Sequence, residues 1–140
     1  MTSAACVMCD RYGGSGGELH IADLDLSRVF LNEDQFFPGY VLLVLRRHVT
    51  ELYDLSATER ATLMEEVSRV AQALARVFRP VKMNYELLGN LVPHIHWHLV
   101  PRLATDPGLR GPIWAVEHRP APLAPAAARE RIETIRRALA

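Results

Sequence analysis

Apolar residues along the chain fall into short clusters of strand length, separated by turn residues. Two short strands are predicted between residues 19 and 31, and the apolar run from Tyr40 to Leu45 has the length of a buried strand. Residues 83–88 and 92–102 predict two more strands on either side of a Gly89-Asn90 turn. Because successive strands are joined mostly by short turns, the pattern predicts an antiparallel α+β domain.

Two stretches of the chain have apolar residues at helical spacing. The first begins at Ser56, which forms a capping-box pattern with Glu59, and it runs to Phe78 before Pro80 ends it. The second closes the chain, and its apolar face consists of Ile132, Ile135 and Leu139. The sequence therefore predicts one long helix in the middle of the chain and a C-terminal helix.

Length and composition predict one globular domain. The 140 residues are 49% apolar, which is enough for a sizeable core, so we expect a single domain over residues 1–140. Within that domain, residues 1–18 are expected to form an N-terminal loop or arm, and residues 103–140 a C-terminal loop and helix.

Charge and hydropathy argue against several classes of function. Sixteen Lys and Arg residues balance sixteen Asp and Glu residues, so the formal net charge is zero and extended nucleic-acid binding is not expected. No apolar run approaches the roughly 18 residues of a membrane-spanning helix, and the N-terminus lacks a signal pattern. We therefore expect a cytoplasmic protein without a membrane partner.

Three histidines stand at alternate positions in the last predicted strand. His94, His96 and His98 would project to one face of that strand, and the apolar residues between them to the other. A metal site and a nucleophilic histidine site are both compatible with this spacing, although three alternating histidines are too spread to converge on one ion without bending the strand. A neutral imidazole can attack phosphorus or acyl carbon, and its neighbours can stabilise the developing charge. Spacing alone leaves both chemistries open.

The segment from His94 to Val100 matches the His-φ-His-φ-His-φ-φ motif, in which φ is apolar, and it resembles the histidine triad (HIT) superfamily. The similarity extends upstream to residues 29–32, to Pro38–Val44 and to Arg47-His48, so that residues 4–102 are covered in order. The resemblance implies a HIT-like α+β fold with an antiparallel sheet of about five strands. It also implies pairing into a homodimer and an enzyme that acts on the α-phosphate of nucleotides.

The resemblance also implies roles for individual residues. His96 would be the nucleophile that forms a covalent nucleotidyl-histidine, and His98 would hydrogen-bond the phosphate oxygens. Asn32 lies where the family binds the ribose hydroxyls, and Asn90 lies where relatives place an amide near the phosphates; each is equally compatible with a turn-forming asparagine. Arg102, directly after the triad strand, is a further candidate for attracting phosphate.

By analogy with the family, dinucleoside polyphosphates are the first expected substrates of this nucleotide hydrolase or transferase. Nucleoside phosphoramidates or nucleotide sugars are the alternative, and a nucleotide-binding module with little catalysis is another. A metallohydrolase that uses the triad as ligands is a further option. Two positions depart from the family pattern, since Tyr40 replaces a histidine and Leu91 replaces the serine of the phosphoramidase branch. Trp114 could cover a base or only pack.

Cys6 and Cys9 have the spacing of a zinc knuckle, although a redox pair and two idle thiols are alternatives. The similarity to zinc-containing HIT relatives adds His48 and His94 as the remaining ligands. The four side chains would form a closed structural zinc site that holds the N-terminal arm against the triad strand.

Overall fold

The computed structural model describes residues 5–14 and 17–140, and this part of the chain has an α+β fold. All pairings in its sheet are antiparallel, in the order β1-β2-β3-β5-β4. The five strands described are β1 (His20–Asp23), β2 (Ser27–Leu31), β3 (Val41–Leu45), β4 (Lys82–Glu86) and β5 (His96–Arg102). The helices are α1 (Val7–Tyr12), α2 (Ala57–Phe78) and α3 (Pro125–Leu139). The α+β prediction and both predicted helices are confirmed.

The sheet separates two apolar clusters because side chains alternate between its faces. Helices α2 and α3 cover one face, where Trp97 and Leu99 of β5 join the larger core. A smaller cluster lies on the other face and consists of Phe30, Phe37, Tyr40, Leu42, Val44, Val100 and Ile113. His96 pairs with Val44, and His98 pairs with Leu42, so both imidazoles share this second face.

Helix α2 begins and ends where the sequence predicts. The Ser56 side chain accepts from the Glu59 amide, and the Glu59 carboxylate accepts from the Ser56 amide, which completes the capping box. The helix ends at Arg79, which adopts a left-handed conformation with φ of 49° directly before Pro80. Among the described residues, no helix is long and apolar enough to cross a membrane.

The structure adds one element to the predicted N-terminal arm and shortens the last predicted strand. Within the arm, helix α1 spans Val7–Tyr12, and residues 1–4 and 15–16 lie outside the described residues. Strand β5 begins at His96 and not at residue 92, because Pro93 offers no amide and the His94 amide turns back to the Val92 carbonyl. His94 therefore precedes the strand that carries the other two triad histidines.

Candidate active site

His96 is held in one orientation by its own backbone. It is 5% exposed, and its Nδ1 lies 2.6 Å from the carbonyl oxygen of His94. Because a carbonyl can only accept, Nδ1 carries a proton in this contact. In the tautomer of the neutral ring that this contact selects, the lone pair is on Nε2, which can then act as a nucleophile or base.

His98 shares the face with His96, with ring centroids 4.9 Å apart. The pKa of His98 is lowered to about 4, mainly because the ring is buried and to a smaller extent because His96 is its neighbour. The Tyr40 hydroxyl lies 2.6 Å from Nδ1 of His98, and burial raises the pKa of Tyr40 well above its usual range. At neutral pH both groups are uncharged, and the tyrosine hydroxyl is placed to donate to this ring nitrogen.

A cavity of about 270 Å³ opens beside these two imidazoles. Residues 88–92, His96, His98 and Trp114 line it, so Asn90 lies in the same cavity as His96 and His98. The Trp114 indole N–H donates to Glu86, which pairs with His98 across strands β4 and β5. The cavity thus combines a potential nucleophile, a neutral hydrogen-bonding imidazole and an amide side chain.

Asn32 does not line this cavity. It lies directly after β2, and its side-chain amide donates to the Asp34 carbonyl 2.9 Å away. The residue lines a different cleft, of about 360 Å³, together with Arg11, Tyr12 and Glu33. Asn32 and Asn90 therefore stand at two separate places on the protein surface.

Four side chains from three separate segments converge next to the triad. Cys6 and Cys9 lie at the start of the chain, His48 follows β3, and His94 precedes β5. Their possible ligand atoms all lie within 4.8 Å of one another, and Cys6 and His94 are almost completely buried. Burial and the adjacent Cys6 raise the pKa of the Cys9 thiol. This cluster could hold a metal ion.

The distances from Nδ1 of His94 to the other members of this Cys–His cluster match those around a tetrahedral ion. Nδ1 of His94 lies 3.5 Å from each cysteine Sγ and 3.2 Å from Nδ1 of His48. Zinc bond lengths in a tetrahedron place sulfur and nitrogen about 3.5 Å apart and two nitrogens about 3.3 Å apart. Nε2 of His94 lies 2.7 Å from the Leu45 carbonyl, so its proton is on Nε2 and Nδ1 is free to bind a cation.

Arg102 does not attract phosphate, because it is 1% exposed and its guanidinium is fully paired. Its Nε donates to Asp106, and one terminal nitrogen donates to Asn84 and to the Gly111 carbonyl. The other terminal nitrogen donates to the carbonyls of Pro107 and Gly108. The residue instead fixes the loop that leads to Trp114.

Two polar contacts around the site were missed from the sequence. The sequence predicts only that Glu86 lies in a strand, and its position beside Trp114 depends on a strand register that no local pattern reveals. His118 belongs to no sequence motif, yet its Nε2 lies 2.8 Å from the Asp34 carboxylate, and its ring stacks on Phe36 with centroids 4.0 Å apart. This contact ties the C-terminal segment to the turn before β3.

The fold and the site define the class of protein to which the chain belongs. Residues 18–105, more than half of the chain, match the HIT domain family. The chain is therefore a member of the HIT domain family, as the triad motif predicted.

Individual relatives agree with this assignment. A bis(5′-nucleosyl)-tetraphosphatase (asymmetrical) of Schizosaccharomyces pombe is 35% identical over 86 residues, which are 58% of this chain and 47% of that protein. The chain thus spans about half the length of this relative. A histidine triad protein from Bradyrhizobium japonicum has a similar structure, with a TM-score of 0.79, 36% identity and coverage of 86% of this chain and 90% of its own.

A second solved structure is similar over a longer part of the chain. A zinc-bound histidine triad family protein from Mycobacterium smegmatis superposes with a TM-score of 0.72 and 25% identity. The superposition covers 99% of this chain and 95% of that protein. The similarity therefore extends over almost the whole chain, including its N-terminal part.

Proposed function

We propose that the protein is an enzyme, a nucleotide hydrolase or transferase that acts at an α-phosphate through a covalent nucleotidyl-histidine on His96. The observation that carries this proposal is the 2.6 Å contact between Nδ1 of His96 and the His94 carbonyl. This contact fixes the tautomer in which Nε2 has its lone pair available inside the cavity.

The reaction has two displacements at the same phosphorus. Nε2 of His96 forms a bond to the α-phosphorus while the bond to the leaving group breaks, and the leaving group takes a proton from solvent as it departs. Water or another acceptor then attacks the phosphorus of the nucleotidyl-histidine and loses its proton to solvent, while the P–N bond breaks to return His96 with its lone pair on Nε2. The His94 carbonyl stabilises the positive charge that the ring carries in the intermediate.

The neighbouring side chains have supporting roles in this proposal. With Tyr40 donating to Nδ1, His98 directs its Nε2–H toward the phosphate oxygens, and Asn90 offers a second donor from the cavity wall. Asn32 would bind the ribose hydroxyls at the separate cleft beyond β2, which requires an extended nucleotide between the two places.

Dinucleoside polyphosphates remain the first proposed substrates, supported by the name of the similar S. pombe enzyme. A second candidate, a nucleoside phosphoramidate or a nucleotide sugar, is favoured by the charge of the site. Of the described residues that line the cavity, none is Lys or Arg, while the Glu86 carboxylate lies beside Trp114. A polyphosphate leaving group would find little positive charge there.

The test of the enzyme proposal is His96→Asn, which removes the nucleophilic nitrogen but keeps a polar side chain. We expect turnover of a nucleotide panel to fall by at least about a thousandfold, because no covalent intermediate can form. Nucleotide affinity measured by calorimetry should stay within a few-fold of the wild type. Tight binding without any turnover by the wild type would instead identify a nucleotide-binding module.

We propose that the Cys–His cluster holds a structural zinc ion through Cys6, Cys9, His48 and His94. All four coordination positions would come from protein side chains, which leaves no open position for a substrate, as in closed structural sites. The ion would fix the loop before β5, and with it the His94 carbonyl that orients His96. In this proposal the zinc ion does not touch the substrate, and it affects the reaction only by holding His94 in place.

We also propose that the protein is a homodimer that pairs through strand β4. This strand lies at one edge of the sheet, and apolar side chains on it or next to it are exposed, among them Val81 and Tyr85. Light scattering should give twice the mass of the 15.7 kDa chain. A monomer at micromolar concentration would contradict this pairing.

A further inference from the structure

Trp114 stands on the rim of the cavity that contains His96. It belongs to a single 3-10 turn, Ile113–Ala115, whose Ile113 is buried in the smaller apolar cluster. Its indole N–H donates to Glu86, and its ring stands edge-on to His98, with centroids 5.2 Å apart and an interplanar angle of 88°. The side chain is nevertheless 54% exposed, so a large apolar surface is presented in a fixed orientation.

The loop before Trp114 is held from inside the protein. Arg102 donates to the side chains of Asn84 and Asp106 and to three carbonyls of residues 107–111. Pro112 then leads directly into the 3-10 turn. Because this loop has a buried cation at its centre, the position of Trp114 is built into the fold.

Two leucines extend the apolar surface of the indole. Leu91 is 92% exposed and Leu88 is 55% exposed, and both line the same cavity as Trp114. The charged group that touches this wall in the described structure is the Glu86 carboxylate. Contact with such a surface does not stabilise a bound anion, whereas a flat apolar group would be stabilised there by burial of its surface and by stacking on the indole.

The order of the strands places this surface on one side of His96. Strand β5 lies between β3 and β4, and the loop that bears Leu88 and Leu91 connects β4 to β5. Asn32, the proposed ribose ligand, follows β2 on the opposite side. Since the nucleoside and the leaving group depart from the α-phosphate in different directions, the surface lies on the leaving-group side.

We propose that Trp114, Leu88 and Leu91 form a subsite that binds an aromatic ring in the leaving half of the substrate, an inference that rests on the proposed function of His96. The ring is either the second nucleobase of a dinucleoside polyphosphate or the aryl group of a phosphoramidate amine. Both sources share the same chemistry, a flat aromatic group beyond the α-phosphate.

The test measures binding to the inactive His96→Asn protein by calorimetry, with two matched pairs of ligands. Diadenosine tetraphosphate is compared with adenosine tetraphosphate, and the adenosine phosphoramidate of tryptamine with that of butylamine. In at least one pair, we expect the aromatic ligand to bind about tenfold more tightly. Adding Trp114→Ala should abolish that advantage, and Trp114→Phe should keep most of it.

The control is Tyr53→Ala, which removes an aromatic residue that is 77% exposed and does not line the cavity. It should leave both affinity ratios unchanged. The pair whose ratio depends on Trp114 identifies the source of the aromatic ring, and either pair supports the subsite.

In each pair, the affinity of the aromatic ligand is compared with that of its non-aromatic partner. If these ratios are the same with and without Trp114→Ala, the subsite is overturned, even if the wild type forms an adduct on His96. If an affinity ratio depends on Trp114 but the wild-type protein turns over no nucleotide, the subsite would be supported and only the proposed catalysis would be contradicted. If Trp114→Ala dissociated a homodimer and left both ratios unchanged, the surface would be a subunit contact and the subsite would be overturned.

Discussion

At the scale of single residues, His94 connects the Cys–His cluster to the proposed chemistry. Its Nδ1 faces both cysteines and His48, its Nε2 donates to the Leu45 carbonyl, and its own carbonyl fixes the His96 tautomer. The alternation of the triad predicts that His96 and His98 share a face. It cannot predict that His94 leaves the strand, because that depends on the turn at Pro93 and on a cluster whose members lie far apart in sequence.

Tyr40 is the residue whose contribution is easiest to separate from the fold. Tyr40→Phe keeps the ring but removes the hydroxyl that bonds Nδ1 of His98, so the tautomer of His98 is no longer fixed. We expect kcat to fall about threefold to tenfold with little change in KM, as measured by steady-state kinetics. Tyr40→His, which introduces a ring N–H as a hydrogen-bond donor in place of the hydroxyl, should recover part of the loss. Equal kcat for Tyr40→Phe and the wild type would show that this bond does not act in turnover.

The lowered pKa of His98 predicts a dependence of stability on pH. Unfolded His98 binds a proton near pH 6.5, whereas in the folded protein its pKa is about 4. Between these two pH values the unfolded state binds more protons, so lowering the pH favours unfolding. The free energy of unfolding should fall by on the order of 3 kcal/mol once the pH is below about 4. Urea denaturation from pH 7 to pH 4 should show this loss, and the loss should be smaller in His98→Gln. Identical pH profiles for the two proteins would contradict the assignment.

At the scale of elements, the turn before β3 shows what local patterns reveal and what they miss. The Pro38-Gly39 pair predicts a turn, and Gly39 has a φ of 85° that favours glycine. The sequence does not reveal that this turn packs against the end of α2, where a Cβ on Gly39 would lie 2.6 Å from the Phe78 ring. Strand order and register are equally non-local, so the contact between Glu86 and Trp114 could not be predicted.

Gly39→Ala should therefore destabilise the protein through both steric conflict and backbone strain. We expect a loss of about 2–4 kcal/mol in the free energy of unfolding, measured by urea denaturation. Gly111→Ala is the matched control, because nothing lies within 4 Å of a Cβ at that position and its φ is not positive. The control should change the free energy by less than about 0.5 kcal/mol. Equal midpoints for the two variants would contradict the packing of this turn.

At the scale of the whole molecule, the Cys–His cluster joins segments that are distant in sequence. Helix α1 contains Cys9 of this cluster, and its Tyr12 packs against the smaller apolar cluster, where the ring centroids of Tyr12 and Phe30 are 4.4 Å apart. The fold class and the candidate ligands could be predicted from the triad and from the family resemblance. The single-domain organisation over residues 1–140 and the homodimer remain predictions.

Removal of the metal should loosen the attachment of α1. The purified protein should contain about one zinc ion per chain, measured by elemental analysis, and Cys6→Ser should lose it. We expect the melting temperature to fall by about 10 °C or more, because several kcal/mol of binding energy contribute to folding. Val7→Ala, a change at an exposed position between the two cysteines, is the control and should keep the zinc. The metal site would be refuted if the wild-type protein contained no zinc and had the same melting temperature as Cys6→Ser.

The central claim is that His96 becomes covalently bonded to the nucleotidyl group, and one measurement tests it directly. The wild-type protein is quenched during turnover of diadenosine tetraphosphate and of an adenosine phosphoramidate, and its peptides are analysed by mass spectrometry. The account predicts a nucleotidyl adduct on the peptide that contains His96, localised to that residue and missing in His96→Asn. Rapid turnover with no adduct, or an adduct on His94 or His98 instead, would contradict it.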